Sequence, residues 1–304
     1  MVRAFLLRII RFALPLMGLF LVLFLLPPTP YSADSVLFGQ IRKDSLLRDT
    51  PAPRIIFVGG SNLSLGLSSR MIKDSLQLNP INTALAAGLG LTYMMRHTLP
   101  FVKAGDRLVL IFEYDSFFGE NYRGALGYVP RILCDVNKDW LALLHPSHLP
   151  YLPKLSFSHI NPFEYFYPSN AVYSVNSLNQ FGDIEAHWRR PKELVTLKAV
   201  REAGQRVNPG AIREMEQFRD SLDARGASML VSYPCFMETS FAHNEEAIRM
   251  VEAAFKQAGF LILGSPERYM MPDSLMYDTH YHLVKQGVDL RTQRLIDDLK
   301  RFAE

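Results

Sequence analysis

The chain has 304 residues, 48% hydrophobic and 21% charged, the composition of an ordinary globular protein. Its net charge of +3 is the difference of 33 basic and 30 acidic residues spread without a Lys/Arg-rich run, which argues against nucleic acid as a partner. Its two cysteines, Cys134 and Cys235, have no CxxC or Cys/His spacing for zinc; they are either two buried thiols or, in an oxidising compartment, a pair.

The first element is apolar. Phe12 to Leu26 reads FALPLMGLFLVLFLL, and extension back to Ala4 gives a segment long enough for the roughly 20 residues that a membrane-spanning helix needs. Arg3, Arg8 and Arg11 lie on its N-terminal side. The positive-inside rule then puts the N-terminus in the cytoplasm and the rest of the chain outside. Pro27 and Pro28 end the helix, and a short linker follows. A cleaved signal peptide is the competing reading, but Tyr31 stands where a cleavage site wants a small residue, so an uncleaved anchor is preferred. The expected organisation is an anchor and linker over 1–33 and one α/β domain over 34–304.

After an amphipathic helix over Ser35–Arg48, RIIFVGG (Arg54–Gly60) reads as a buried parallel strand entering a tight turn. A helix over Leu67–Leu76 follows, then a second strand within Asn82–Gly90, a helix over Tyr93–Phe101 and a third strand over Arg107–Asp115. The alternation resumes with a helix over Ala211–Arg225, a strand over Ala227–Pro234, a helix over Asn244–Ala258, the strand Phe260–Gly264 and a last helix over Lys285–Phe302. Strand and helix in alternation predict a parallel sheet with crossover helices. Between about 117 and 208 the pattern fails, and the segment reads as a long irregular insertion over the C-terminal ends of the strands. Within it, the aromatic group Phe163, Tyr165, Phe166 and Tyr167 suits an insertion core, a substrate cleft or a membrane interface. Asn179–Trp188 suits a turn with a packed Trp188 better than a substrate platform.

Two places carry the residue types of nucleophilic catalysis. Ser61 directly follows a strand and two glycines and precedes a helix, so it projects from the sheet edge with backbone N–H groups behind it; alternatively it or Ser64 only caps that helix. Near the C-terminus, YDTHYHLVKQG (Tyr277–Gly287) sets Asp278 close to His280 and His282. An imidazole to take the serine proton and a carboxylate to hold that imidazole are what a serine nucleophile requires.

Together, GGSN after the first strand and DTHYHL before the last helix resemble the SGNH/GDSL hydrolase superfamily, most closely its membrane-anchored members that acylate cell-surface polymers (lipoteichoic-acid D-alanylation and alginate O-acetylation). The resemblance implies a flavodoxin-like three-layer α/β fold and a Ser61–His282–Asp278 triad. It favours His282 over His280, makes Ser61 and Gly88 the oxyanion donors, and calls for no metal or organic cofactor. It departs from the family at Gly60, where an aspartate is usual, and at the third-block asparagine, for which Asn62, Tyr114, Asn121 or Asn176 would have to substitute. The implied function is an extracytoplasmic serine esterase or O-acyltransferase on acyl esters of an envelope or exported polysaccharide. The implied partners are the membrane and an integral-membrane acyltransferase. Two rivals are a non-catalytic envelope protein that binds glycan or such an acyltransferase, and a lipid-acting esterase.

Overall fold

The computed structural model describes residues 2–125, 127–167, 170–190, 197–198 and 206–303. Four parallel strands form the central sheet: β1 (Arg54–Gly59), β2 (Asn79–Asn82), β3 (Arg107–Ile111) and β4 (Ser228–Val231), in the order β2-β1-β3-β4. Their residues are almost wholly buried, as parallel strands between two helical layers must be. The α-helices of seven or more residues are α1 (Val2–Leu25), α2 (Gly39–Asp49), α3 (Ser69–Leu76), α4 (Gly90–Thr98), α5 (Leu152–Ser158), α6 (Pro209–Asp223), α7 (Glu245–Gln257) and α8 (Lys285–Ala303). α4 and α6 pack together, as do α3 and α8. Strand order reverses between β1 and β3, and such a reversal opens a crevice beyond the strands' C-terminal ends.

Two buried cations tie the layers. Arg54 gives Nε to Asp106 Oδ1 at 2.8 Å and Nη1 to the Leu47 carbonyl at 2.6 Å, which satisfies a guanidinium that would otherwise be costly to bury. Lys43 on α2 donates to the carbonyls of Asn82, Ala84 and Gly182, three acceptors for three N–H bonds. Burial draws its ammonium down to about 7, opposed by the Asp183 charge.

Three expectations need correction. The second strand is Asn79–Asn82 rather than part of Asn82–Gly90; Pro80 is tolerated because β2 lies at the sheet edge, and the chain then leaves the sheet. β3 stops at Ile111, four residues early, because Tyr114–Phe117 closes a 3-10 turn. Phe260–Gly264 forms only a bridge, Ile262 to Val231, while a two-stranded pair, β5 (Phe236–Met237) and β6 (Met270–Met271), appears instead. Cys134 and Cys235 are both buried and free.

α1 has a mean hydropathy of 2.1 and is long and apolar enough to cross a membrane. The insertion holds short helices with little regular pattern, as expected. Its residues 126, 168–169, 191–196 and 199–205 lie outside the described ones.

Candidate active site

Ser61 opens the one-turn helix Ser61–Ser64 directly after β1. The turn is tight because a side chain at Gly60 has no room: a Cβ there would collide with both carboxylate oxygens of Glu113 and come within 2.7 Å of the Ala87 Cα. Gly60 therefore stands where the resemblance expects aspartate for a steric reason. Glu113, two residues past β3, fills that space. Its Oε1 accepts the Asn62 N–H at 2.8 Å, and its buried Oε2 has no hydrogen-bond partner among the described residues.

Asp278 and His282 share a narrow loop. The Tyr277 N–H donates to the His282 carbonyl at 2.8 Å, Val284 N–H donates to Leu275 O at 2.9 Å, and Met276 bridges Leu283. This closure brings His282 Nδ1 to 2.7 Å from Asp278 Oδ1 despite the residue added between them relative to the family motif. Tyr173, from the insertion, donates its hydroxyl to Asp278 Oδ2 and lies 3.1 Å from His282 Nδ1. Burial pushes the Asp278 carboxyl up, but the bonds from His282 and Tyr173 outweigh it and hold the group below the usual carboxylate range. With Nδ1 engaged, Nε2 is the ring nitrogen left for the cleft.

That cleft, about 450 Å³, is lined by Ser61, Gly88 and His282 together with Tyr31, Arg131 and Tyr173 among others. The Tyr128 ring packs on Gly88 so closely that a Cβ there would strike it. Ser61 and His282 thus face one space, with Asp278 behind the imidazole and Gly88 also in the cleft lining. Such a site can deprotonate a serine hydroxyl and receive an acyl group of modest size. Among the described residues no group of three or more His, Cys, Asp or Glu is set to hold a metal ion.

The other candidates lie elsewhere. Asn62 is fully buried; its amide donates to Ile111 O, its Oδ1 accepts from Arg291, and it does not line the cleft. Tyr114 is buried edge-on against Phe236, away from the cleft lining. Asn121 bonds Asp115 O, and Asn176 bonds Asp34. His280 turns to Ser240, 3.1 Å from its Oγ, and burial lowers its pKa. In Asn179–Trp188, Asp183 accepts from Ser69, Asn82 and Asn179, and His187 donates Nε2 to the Leu283 carbonyl at 3.0 Å. This segment braces the Asp278–His282 loop through His187 and does not line the cleft.

Tyr173 and Glu113 escaped the sequence reading. Tyr173 lies in an aperiodic, aromatic-rich stretch, and Glu113 sits in what reads as a continuing strand. The one available signal was a lone acid at the end of an apolar run, which charge patterning alone does not distinguish from a solvated strand end.

No family model matches the chain, and no curated protein matches it. Among solved structures, the chain is similar to the crystal structure of protein YXIM from Bacillus subtilis, at 13% identity and a TM-score of 0.39. The match covers 82% of this chain and 57% of that one, so this chain spans little more than half of that protein's length.

Proposed function

We propose that the chain is a membrane-anchored serine esterase or O-acyltransferase of the SGNH kind, with a flavodoxin-like domain held outside the cytoplasm by α1. It would act on acyl esters of an envelope or exported polysaccharide. One arrangement carries the reading: Ser61 and His282 line a single cleft, and Asp278 and Tyr173 fix the imidazole from behind. In this mechanism Ser61 Oγ attacks the acyl carbonyl while its proton passes to His282 Nε2. Asp278 stabilises the imidazolium and stays ionised. The Ser61 and Gly88 backbone N–H groups receive the oxyanion. The alcohol leaves with the proton from His282, and water or a sugar hydroxyl then takes the acyl group, giving hydrolysis or transfer. The choice of polysaccharide rests on the resemblance alone.

The test is labelling of the full-length chain by a serine-directed fluorophosphonate, beside turnover of acetyl and longer p-nitrophenyl esters. Ser61→Ala should abolish labelling and lower turnover by about 1,000-fold or more. Labelling that survives in Ser61→Ala would sink the nucleophile assignment. A rate that climbs with acyl length and ignores glycan acceptors would turn the reading towards a lipid esterase.

One observation favours a second reading, a non-catalytic glycan- or acyltransferase-binding protein. Glu113 lies two residues past β3, in the stretch where the family carries an oxyanion-donating asparagine. A carboxylate there supplies no donor, and loss of one such donor costs about 100- to 1,000-fold in rate. An unlabelled wild-type Ser61 would choose this reading.

A further inference from the structure

The insertion runs beside α1 in register. Phe157 packs edge-on against Phe20, with ring centroids 5.5 Å apart; His159 Nδ1 lies 2.9 Å from the Leu23 carbonyl, where it caps the helix end; and Thr29 donates to Glu164. Before these contacts, Leu149, Leu152 and Pro153 face Leu14, Met17 and Leu21 across an apolar groove of about 710 Å³. At 1.5 Å per residue, Leu14 lies about 16 Å below the end of α1, roughly half of a 30 Å hydrocarbon layer. Past α5, Phe163 and Phe166 are 67% and 84% exposed, beside the exposed Ile160, Tyr165 and Tyr167. Water gives such a patch no stabilisation.

We infer that residues 149–167 are a membrane-inserted element, embedded among the lipid chains of the leaflet that the folded domain faces. It seats the mouth of the Ser61 cleft at the bilayer surface. This rests on the reading of α1 as a membrane span. The occupant of the apolar face is lipid, because the face is continuous with a helix whose own residues are almost all exposed. Most polar groups of the segment suit immersion, which requires internal partners, and its one lysine, the exposed Lys154, lies over the Tyr151 ring 5.5 Å from the centroid on a stem that lets the ammonium snorkel towards the headgroups. Ser156 and Ser158 donate to the carbonyls of Leu152 and Leu155, Tyr165 to that of His159, and the second His159 nitrogen meets Asp135 at 3.1 Å. α5 has only seven residues, too short to cross, so the segment enters and returns within one leaflet. Tyrosines and phenylalanines at its end match the aromatic belt of membrane interfaces. Arg131 links this element to the cleft: it donates to Ser158 at 3.3 Å and to Ser32 at 2.5 Å, and both Arg131 and Ser32 line the cleft wall. An acyl donor or acceptor held at the membrane would reach Ser61 without leaving the surface.

The test uses the full chain in lipid nanodiscs with one environment-sensitive dye at an introduced cysteine. The two native thiols are buried, and wild type serves as the labelling blank. Phe163→Cys should lose at least about half its emission to lipids carrying a nitroxide high on the acyl chain, and Tyr31→Cys a similar share to headgroup nitroxides. Phe12→Cys should be quenched within the span, and the remote, exposed Leu261→Cys by neither probe. Quenching at Phe12 with Phe163 unquenched would overturn the inserted element and leave the anchor standing. Quenching at Phe163 without Tyr31 would overturn the placement of the cleft. No quenching at Phe12 would remove the anchor and the inference with it.

Discussion

Tyr173 gives its hydroxyl to the carboxylate that orients His282, so the dyad is completed by a residue of the insertion. A hydrogen bond to a charged group contributes about 1.5–3 kcal/mol, which as a rate is about 10- to 100-fold. Tyr173→Phe is therefore expected to lower ester kcat by that factor with little change in KM. Equal kcat in the two proteins would reduce Tyr173 to a packing residue. At this scale the candidate site was readable where its residue types coincide with punctuation. Ser61 follows a β-branched run and two glycines, and Asp278 and His282 fall on one short loop. Tyr173 carries no such mark, since one tyrosine among many acquires a role only when the fold brings it to Asp278.

Among the elements, the Asp278–His282 loop depends on the segment behind it. His187 holds the Leu283 carbonyl next to His282, and burial drives its imidazole down to about 4 from 6.5, partly opposed by that backbone bond. Between those values the unfolded chain binds a proton that the folded chain refuses, so stability is full above about 6.5 and falls as pH drops towards 4. The expected result is a lower Tm at pH 5 than at pH 7 in wild type, with a smaller drop in His187→Gln, which keeps a donor and cannot titrate. Identical drops would mean that another group governs acid sensitivity. The buried strands β1 and β3 were legible from their apolar runs. β2 was not, because Asn-Pro-Ile-Asn spells a turn to any local reading. It is a strand only because β1 offers it an edge, with Ile56 opposite Ile81.

Across the whole molecule no covalent crosslink joins the described parts, since Cys134 and Cys235 are free and buried. Thermal unfolding should accordingly show one midpoint with and without reductant, and a shift of several degrees on reduction would contradict the free thiols. The insertion was the least legible region because its order comes from distant partners: Asp183 on Ser69, Asn208 on Phe117, His159 on Leu23. None of these leaves a period in the sequence. The space beside Ser61 has a further consequence. A side chain at position 60 would meet both the Glu113 carboxylate and the Ala87 backbone, so only glycine fits there while those two stay in place. A library that varies position 60 alone should therefore return only glycine, and one that also varies 113 should return other residues only where the Ala87 backbone shifts as well.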